Sequence, residues 1–498
     1  MASIIPALWR TTPRLTNRFF VCNQCIRQQA RTLTRQARKP SNFIVSRQIR
    51  FNSDASSIAQ GASSINKTSP LSSLSQTISN VEKASSKKSF PETNSNIVAY
   101  WLLGSAASVF GIVVFGGLTR LTESGLSITE WKPVTGSLPP LSDADWESEF
   151  AKYRASPEFK LLNSYMNLDE FKKIYYMEWT HRLWGRFIGL SFVIPAVYFV
   201  ARRKASANMA VRLFGISGLI GAQGVLGWWM VKSGLHDDLF APGSHPRVSQ
   251  YRLTAHLGTA FICYTAMLWN GLSILRDNRL LASPARGQEK LLRLSVPELS
   301  FFRKSVAGLA VLVFITAMSG GLVAGLDAGL IYNEFPKMGT GFAPPKSELF
   351  DSFYSRKEDK SDLWWRNMLE NPSTVQLDHR ILAMTTFTTI IALWYYSRYS
   401  PKVAAALPKA GRKGIMGVVH LALLQVVLGI STLIYLVPTH LAATHQAGSL
   451  ALLTGVFVLG NRVWVPSRTM RLLQSRIKQA GAAMPVTKVK PVGPVKTH

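Results

Sequence analysis

The sequence predicts an all-α membrane protein whose eight transmembrane helices form two tandem, parallel-repeat four-helix bundles. Three observations lead to this fold class: recurring apolar stretches, a segregation of charge between loops, and an internal repeat. Apolar stretches of about 20 residues are long enough to cross a bilayer. The eight predicted spans are 98–118, 175–201, 209–232, 250–275, 303–325, 377–399, 413–436 and 441–463.

The residues before the first span have the composition of a targeting segment. Residues 1–50 contain ten Arg or Lys and no acidic residue, together with many Ser, Thr and Gln. An Arg-rich, Ser-rich and acid-poor N-terminus is typical of a mitochondrial transit peptide. We therefore predict a transit peptide over 1–53, followed by a poorly ordered, Ser/Asn/Thr-rich matrix segment over 54–97.

The chain contains three cysteines, and they indicate no metal or redox centre. Cys22 and Cys25 form a C-x-x-C inside the predicted transit peptide. Cys263 lies in an apolar span, where a free cysteine usually acts as a small buried apolar residue.

The charges of the loops orient the predicted spans. Bases outnumber acids in the loops and tail that lie on one side, which are 202–212, 276–304, 398–413 and 462–498. Two longer segments, 119–173 and 326–376, contain more acids than bases, and we call them the acidic loops. The positive-inside rule places both termini in the matrix and the acidic loops in the intermembrane space of a multi-pass inner-membrane protein. The net charge of +30 therefore reflects membrane topology and targeting and predicts no nucleic-acid partner.

The two halves of the chain repeat one another. "GGLTRLTESGLSITEWKPVTGSLPP" (116–140) matches "GGLVAGLDAGLIYNEFPKMGTGFAPP" (320–345), and "QGVLG" (223–227) matches "QVVLG" (425–429). Because each copy has an even number of spans, both copies have the same orientation. We predict a first bundle over 98–275, a matrix linker over 276–302, a second bundle over 303–463 and a basic matrix tail over 464–498.

Four histidines occupy equivalent positions in the repeat, two in each half. His181 and His256 lie in the first half, and His379 and His445 in the second, each in an even-numbered span near its acidic-loop end. A lone histidine would be interpreted as a hydrogen-bonded core residue, but duplication argues against that. Zinc is disfavoured because nothing completes a tetrahedral ligand set in each half. Paired imidazoles across a bundle core suit the axial positions of a haem iron.

The other histidines lack this pattern, although His440 stays open as an alternative to His445. His420 is intramembrane, but its repeat equivalent is Gly218. The remaining three lie in a loop or at the C-terminus: His236, His245 and His498.

Arginines and glycines accompany the candidate ligands. Arg182 and Arg380 each follow a ligand directly, and Arg252 lies one turn before His256. Guanidinium groups pair with carboxylates, so haem propionates are expected partners; the alternative is interfacial snorkelling. The paired glycines 116–117 and 320–321 indicate close approach of helices or of a flat ring.

The halves differ at one ionisable position. Glu178 lies three residues before His181, on the same helix face, whereas the equivalent residue before His379 is Gln376. A carboxylate can exchange protons and an amide cannot. This difference predicts a reactive site in the first half and an electron-storing haem in the second; the alternative is a salt bridge from Glu178 to Arg182.

The chain resembles the mitochondrial haem A synthase family, membrane oxidoreductases of cytochrome c oxidase assembly. The features that carry the resemblance are "EWTHRLWGR", "GGLTRLTESGLSITEWKPVTGSLPP", "LDHR", "ATHQAG" and the duplicated spans. The resemblance implies oxidation of the C8 methyl of haem O to a formyl through a hydroxymethyl intermediate, with Glu178 as the catalytic residue. Some bacterial members carry a cysteine pair in the first outer loop, but 119–173 contains none, so no cysteine-dependent step is expected.

The resemblance also implies how the site residues are divided. Haem O, the substrate, would lie between His181 and His256, and haem b, the cofactor, between His379 and His445. The expected substrate-side arginines are Arg182 and Arg252, and the cofactor-side arginine is Arg380. The implied partners are haem O, the haem O synthase that supplies it, a mitochondrial ferredoxin-type electron donor and membrane lipid; a homo-oligomer is left open.

Two other functions remain compatible with the repeat. A bis-histidine b-type electron-transfer cytochrome would explain the four histidines, but it gives the Glu178/Gln376 difference no use. A parallel-repeat transporter would explain the duplication but predicts no bound haem.

Overall fold

The computed structural model describes residues 89–240 and 246–482, and within them the chain forms helices and no β-strand. Eight long helices correspond to the eight predicted spans. They are α1 (Asn96–Leu121), α2 (Leu168–Ala201), α3 (Ala207–Ser233), α4 (Gln250–Leu281), α5 (Ser300–Gly325), α6 (Pro372–Tyr399), α7 (Lys409–Ile434) and α8 (Thr439–Val463). Shorter α-helices are Asp143–Arg154, Pro157–Leu161, Pro284–Leu294, Lys346–Leu349, Leu363–Glu370, Pro401–Ala406 and Ser467–Ala482.

The predicted all-α membrane class is confirmed. Among the described residues, seven of the long helices are long and apolar enough to cross a membrane: α1 to α5, α7 and α8. Helix α6 has the length, but its sequence "PSTVQLDHRILAMTTFTT" mixes polar residues into the apolar run. The eighth span therefore stays a prediction.

Capping explains why α2 begins earlier than its apolar stretch. The Asn167 side chain accepts from the backbone N–H of Glu170, and the Glu170 carboxylate accepts from the backbone N–H of Asn167, which forms a capping box. The helix therefore starts seven residues before the predicted span, and its first two turns belong to the acidic loop. These turns bring Glu178 and His181 into a continuous helix that rises from that loop.

The long helices contact one another in two closed rings of four. Helices α1 to α4 form one ring through neighbouring contacts and the pair α1–α4, and α5 to α8 form the other in the same way. Contacts of α1 with α8, α4 with α5 and α4 with α8 join the rings. The buried apolar residues of both rings belong to one cluster, so a single core continues across the seam. The boundaries predicted for two bundles stay a prediction.

The second glycine of each repeated pair lies at this seam. The Gln446 side chain of α8 packs on Gly117 of α1 and donates to the Val113 carbonyl at 2.9 Å. In the equivalent place on the other side, Gly321 of α5 packs against Thr254 of α4. A side chain at either glycine would meet these side chains of the other ring, so both glycines allow the close helix approach that the sequence predicted.

The acidic loops are folded by different means. In the first, Trp146, Phe150 and Tyr153 pack with Phe171 and Tyr175 at the start of α2 in a small apolar core. The second is held mainly by hydrogen bonds of buried polar side chains, Asp362, Asn367 and Asn371 among them. On the opposite face, the helices Pro284–Leu294 and Ser467–Ala482 pack together.

Several predictions fall outside the described residues. They are the transit peptide over 1–53, the C-x-x-C of Cys22 and Cys25, most of the segment 54–97, His245, His498 and the end of the basic tail. Cys263 is described and is buried, as predicted.

Candidate functional site

One cavity of about 1970 Å³ extends through both rings of helices, and all four paired histidines line it. Glu178, Gln376, Arg182 and Arg380 also belong to its wall. Electrostatic interaction links His181 with His256, and His379 with His445, which supports pairing within each half. A cavity of this size exceeds ordinary small-molecule pockets and can hold two large planar ligands.

The first glycine of each repeated pair makes room for an imidazole. A Cβ added at Gly116 would lie 2.8 Å from Cε1 of His181, and one at Gly320 would lie 3.1 Å from Cε1 of His379. Real Cβ contacts are rarely this short, so α1 and α5 need glycine where the rings of α2 and α6 pass. The sequence did not predict that an imidazole occupies this space; close approach of the ring of a bound haem stays a prediction.

The last glycine of "QGVLG" and that of "QVVLG" make room for the imidazoles of the other two histidines. A Cβ at Gly227 would lie 3.4 Å from Cε1 of His256, and one at Gly429 would lie 2.9 Å from Cε1 of His445. All four imidazoles are therefore packed on a glycine of a neighbouring helix. Glycine at these positions leaves room for each ring, and all four rings line the cavity.

Two glutamines from the same repeat hold the helices that carry His256 and His445. Gln223 donates to the carbonyl oxygen of His256 at 3.0 Å, and Gln425 donates to that of His445 at 2.8 Å. The repeat of "QGVLG" as "QVVLG" is visible in the sequence, but no role of the glutamines was predicted from it. The signal in the sequence was that Gln223 and Gln425 occupy the same position in the two copies of the repeat.

The imidazole rings of α2 and α6 have different supports. Nδ1 of His379 lies 2.8 Å from the Ser319 hydroxyl, which donates to the Thr316 carbonyl and therefore accepts from Nδ1–H. This hydrogen bond leaves Nε2 of His379 as the atom that can bind a metal. His181 has no such partner among the described residues, since its Nδ1 is buried and unpaired and its ring lies parallel to Phe115.

Glu178 is buried in the cavity wall and is fixed by four donors. One carboxylate oxygen accepts from the Ser127 hydroxyl at 2.7 Å and the Ile128 N–H at 2.8 Å. The other accepts from Nε and Nη2 of Arg182 at 3.0 and 2.6 Å. The salt bridge that was the alternative interpretation of Glu178 is therefore present, and it coexists with a position in the cavity wall.

Gln376 holds the equivalent loop with the opposite hydrogen-bond polarity. Its amide nitrogen donates to the carbonyls of Ala328 and Ile331 at 2.9 and 2.6 Å, and Arg380 donates to its amide oxygen at 3.3 Å. Glu178 accepts from its loop, whereas Gln376 donates to its own. The first acidic loop therefore presents donors to the carboxylate of Glu178, and the second presents carbonyl acceptors to the amide of Gln376.

The candidate arginines donate mainly to the acidic loops. Arg182 donates to the carbonyls of Ile128 and Glu130, and Arg380 donates to those of Tyr332, Glu334 and Lys337. Nε of Arg380 is buried without a partner, so that donor remains for a ligand.

Arg252 lies one turn from His256 but, unlike the other predicted site residues, does not line the cavity. It donates to the Trp229 carbonyl at 2.7 Å with its guanidinium over the Trp229 ring. Of the histidines outside the pairs, His236, His420 and His440 are exposed and none of them lines this cavity. The wall of the second half therefore contains His445 and not His440.

Comparison with known proteins identifies the family. The sequence model of the "Cytochrome oxidase assembly protein" family matches residues 99–457, nearly all of the helical part of the chain. The chain belongs to this family. All four paired histidines and Glu178 lie within the matched part.

Several relatives of this assembly-protein chain share about half of its aligned residues. The heme A synthase COX15 of Saccharomyces cerevisiae is 54% identical over 75% of the chain and 76% of its own length. The human protein of the same name is 47% identical over 74% of the chain and 82% of its own length. A heme A synthase-mitochondrial ferredoxin fusion protein of Schizosaccharomyces pombe is 53% identical over 74% of the chain and 60% of its own length.

The residues of this assembly protein's cavity fit a haem. Each half offers two imidazoles on the wall of a shared cavity, each packed on a glycine, and one ring is oriented by a hydrogen bond at Nδ1. Imidazole is an ordinary axial ligand of haem iron, and facing helices of a bundle are an ordinary place to bind it.

Proposed function

We propose that this chain makes haem A by oxidising the C8 methyl of haem O to a formyl through a hydroxymethyl intermediate. Membership of the family and the names of the relatives support the activity. The observation that carries the assignment of halves is that equivalent histidine pairs share one cavity, and that the carboxylate Glu178 stands where the second half has the amide Gln376.

The first half is the reactive site in this proposal. His181 and His256 would hold the iron of the substrate, and Glu178 would accept a proton that the methyl group releases on oxidation. Ser127, Ile128 and Arg182 keep this carboxylate in one orientation, which limits the reorganisation needed during the reaction.

The second half is the electron-transfer site. His379 and His445 would hold haem b, which supplies one-electron redox chemistry when bound. Gln376 replaces the titratable group there, so this half carries no acid at the equivalent place. The Ser319 hydrogen bond to His379 fixes the ring and increases the basicity of the ligand.

The relatives and the loop charges support a cellular location and partners for this chain. The chain is a mitochondrial membrane protein, and we place it in the inner membrane with both termini in the matrix. A ferredoxin-type donor is supported by the fusion of a relative to a mitochondrial ferredoxin. A haem O synthase is required upstream because it supplies the substrate.

Acid extraction and chromatography of the haems bound to purified protein test the function. The proposal predicts haem b together with haem O, haem A or the hydroxylated intermediate. Protein that carries haem b alone in both sites, even when haem O is supplied, would contradict it and favour an electron-transfer cytochrome. Protein from cells without haem O synthase is the matched control, and it should carry haem b alone.

A further inference from the structure

A second buried carboxyl group lies in the wall of the cavity, and neither the histidine sites nor Glu178 accounts for it. Glu158 belongs to the short helix Pro157–Leu161 of the first acidic loop and is 5% exposed. Its side chain lines the same cavity as Glu178 and His181. An acidic residue this buried is uncommon without a cationic partner, and no ion pair of Glu158 occurs among the described residues.

A tyrosine holds Glu158 in place. The Tyr153 hydroxyl donates to Oε1 of Glu158 at 2.9 Å, and the Asn163 amide donates to the same hydroxyl at 2.9 Å. Tyr153 is fully buried in the small apolar core of the loop. This core closes one side of the carboxyl group, so its open side is the cavity.

The surroundings of Glu158 favour its neutral form. Burial raises the pKa of Glu158 to about 8, and the negative charges of Glu178 and Glu123 act in the same direction. The Tyr153 hydrogen bond and the charge of Arg120 oppose the rise. The group is therefore mostly protonated at neutral pH, with an ionised fraction that grows as the pH rises through about 8.

The titratable and charged groups around Glu158 come from several elements. They are Arg120 at the end of α1, Glu123 in the following turn, Tyr153 of Asp143–Arg154 and Glu178 of α2. The turn Asp237–Phe240, which packs on Pro157–Leu161, adds the exposed Asp238, and the exposed His236 directly precedes it. Glu123, Glu158 and Glu178 all line the cavity; Glu158 and Glu178 are buried, and Glu123 is exposed. The cavity wall therefore carries two buried carboxyl groups and one that reaches solvent.

The second half lacks this series of acids. Gln376 replaces Glu178, and Asp327 is the repeat equivalent of Glu123. Asp327 is neutralised by Arg120 at 2.9 Å and Arg247 at 2.8 Å, whereas Glu123 has no ion pair among the described residues. Among the described residues, the first half therefore contributes Glu123, Glu158 and Glu178 to the cavity wall, whereas the second half contributes only Asp327. The series is confined to the half that we propose to be reactive.

We propose that Glu158 is a proton-relay residue that carries protons from Glu178 to Glu123 and out to the acidic-loop side of the membrane. This inference rests on the proposed function, because oxidation of a methyl group to a formyl removes hydrogen from carbon. A proton leaves the carboxyl group of Glu178 and is taken up by ionised Glu158. Glu158 then releases a proton to Glu123 and water, and no electron moves along this route.

The first test is Glu158→Gln, which keeps the side-chain volume and an acceptor for the Tyr153 hydroxyl. The rate of haem A formation by haem-loaded protein should fall about 10²-fold, the lower end of what a positioned acid or base contributes. KM for haem O should be unchanged, because Glu158 contacts neither iron ligand. A small weak acid such as formic acid should restore part of the rate by carrying protons in place of the carboxyl group.

Two readouts separate a relay from a structural role. The wild-type rate should rise as the pH increases through about 8, because only ionised Glu158 accepts a proton, and Glu158→Gln should lose this dependence. Independently of activity, infrared difference spectra across this pH range should show a protonated-carboxyl C=O band that is absent in Glu158→Gln. Tyr153→Phe removes a hydrogen bond that lowers the pKa of Glu158, so it should shift both titrations to higher pH.

Glu348→Gln is the matched control. Glu348 accepts from the Tyr332 hydroxyl at 2.6 Å in the second acidic loop, but it does not line the cavity. This variant should keep the wild-type rate and pH profile. A Glu158→Gln protein with the wild-type rate and pH profile would overturn the relay, as would a loss of rate that neither formic acid nor pH alters. Absence of haem A formation by the wild type would instead contradict the proposed function.

Discussion

At the scale of single residues, the site depends on which side chain stands beside each imidazole. Each paired histidine packs on a glycine, and Glu178 and Gln376 hold equivalent loops with opposite hydrogen-bond polarity. Glu178 is bridged to Arg182, so this buried carboxyl group has a cationic partner, and an unpaired charge in the wall would be costly. A structural and a chemical role of Glu178 are therefore compatible.

Glu178→Gln should abolish haem A formation while both haems remain bound. A positioned acid or base contributes about 10²–10⁴-fold, so the hydroxylated intermediate should accumulate or the reaction should stop at haem O. The measurement is haem A formed per haem-loaded protein.

A control is needed because an amide cannot accept from all four donors that hold Glu178. Ser127→Ala removes one of these donors and keeps the carboxylate, so it separates loss of orientation from loss of charge. We expect only a small decrease in its rate. If Glu178→Gln formed as much haem A per haem-loaded protein as the wild type does, Glu178 would have no catalytic role.

At the scale of secondary-structure elements, capping and glycine positions set where each helix presents its ligand. The capping box at Asn167 extends α2 into the acidic loop, so Glu178 follows directly from the folded loop. Helix α7 contains four glycines in different environments: Gly429 packs on His445, whereas Gly417 has no atom near its missing side chain. The same substitution should therefore have opposite effects within one helix.

Gly429→Ala should displace the His445 ring and reduce the haem bound in the second half, because its Cβ would lie 2.9 Å from Cε1. Gly417→Ala, the matched control, should leave haem content unchanged and stabilise the helix by about 0.4–1 kcal/mol. Haem content and thermal unfolding of the purified variants are the measurements. Equal haem content in the two variants would show that the contact with His445 does not position a ligand.

At the scale of the whole molecule, two equivalent rings of helices share one core and one cavity. Repeat-related contacts join them: Gln446 on Gly117 in one direction and Thr254 on Gly321 in the other. The salt bridges of Asp327 with Arg120 and Arg247 add a contact that the repeat does not duplicate. Since the ligands of each pair come from one ring, the two sites should load separately despite the shared cavity.

His379→Ala should remove the haem b signal and leave the first site able to bind haem O. His256→Ala should have the reverse effect. Haem stoichiometry and optical spectra of each purified variant are the measurements. If His379→Ala removed only haem O, the two halves would have to be exchanged in the assignment, and loss of both haems in each variant would show that the sites are not independent.

The loop charges predict that both termini face the matrix. Chymotrypsin added to mitochondria without outer membranes should cut the acidic loops, where Tyr165 and Phe353 are 98% and 82% exposed. A tag at the C-terminus should survive, because it would be on the protected side. Loss of the tag with intact acidic loops would reverse the predicted topology.

Much of the fold and part of the site could be predicted because their signals are local or repeated. The eight apolar stretches agree with the eight long helices to within a few residues at most ends. The duplicated histidines and the Glu178/Gln376 difference needed only an alignment of the two halves. The start of α2 was missed because its first turns are polar and lie outside the apolar stretch.

The sequence by itself determined the membrane class, the repeat, the histidine pairs and the acid of the first half, because hydropathy and repeat position are properties of a linear chain. Tertiary structure alone decided which glycine receives each imidazole, that Arg252 does not line the cavity, and that Glu158 joins Glu178 in its wall. These facts depend on contacts between distant segments, and the acidic loops have no periodicity from which such contacts can be read. Burial of a carboxyl group, and hence its protonation, follows from those contacts.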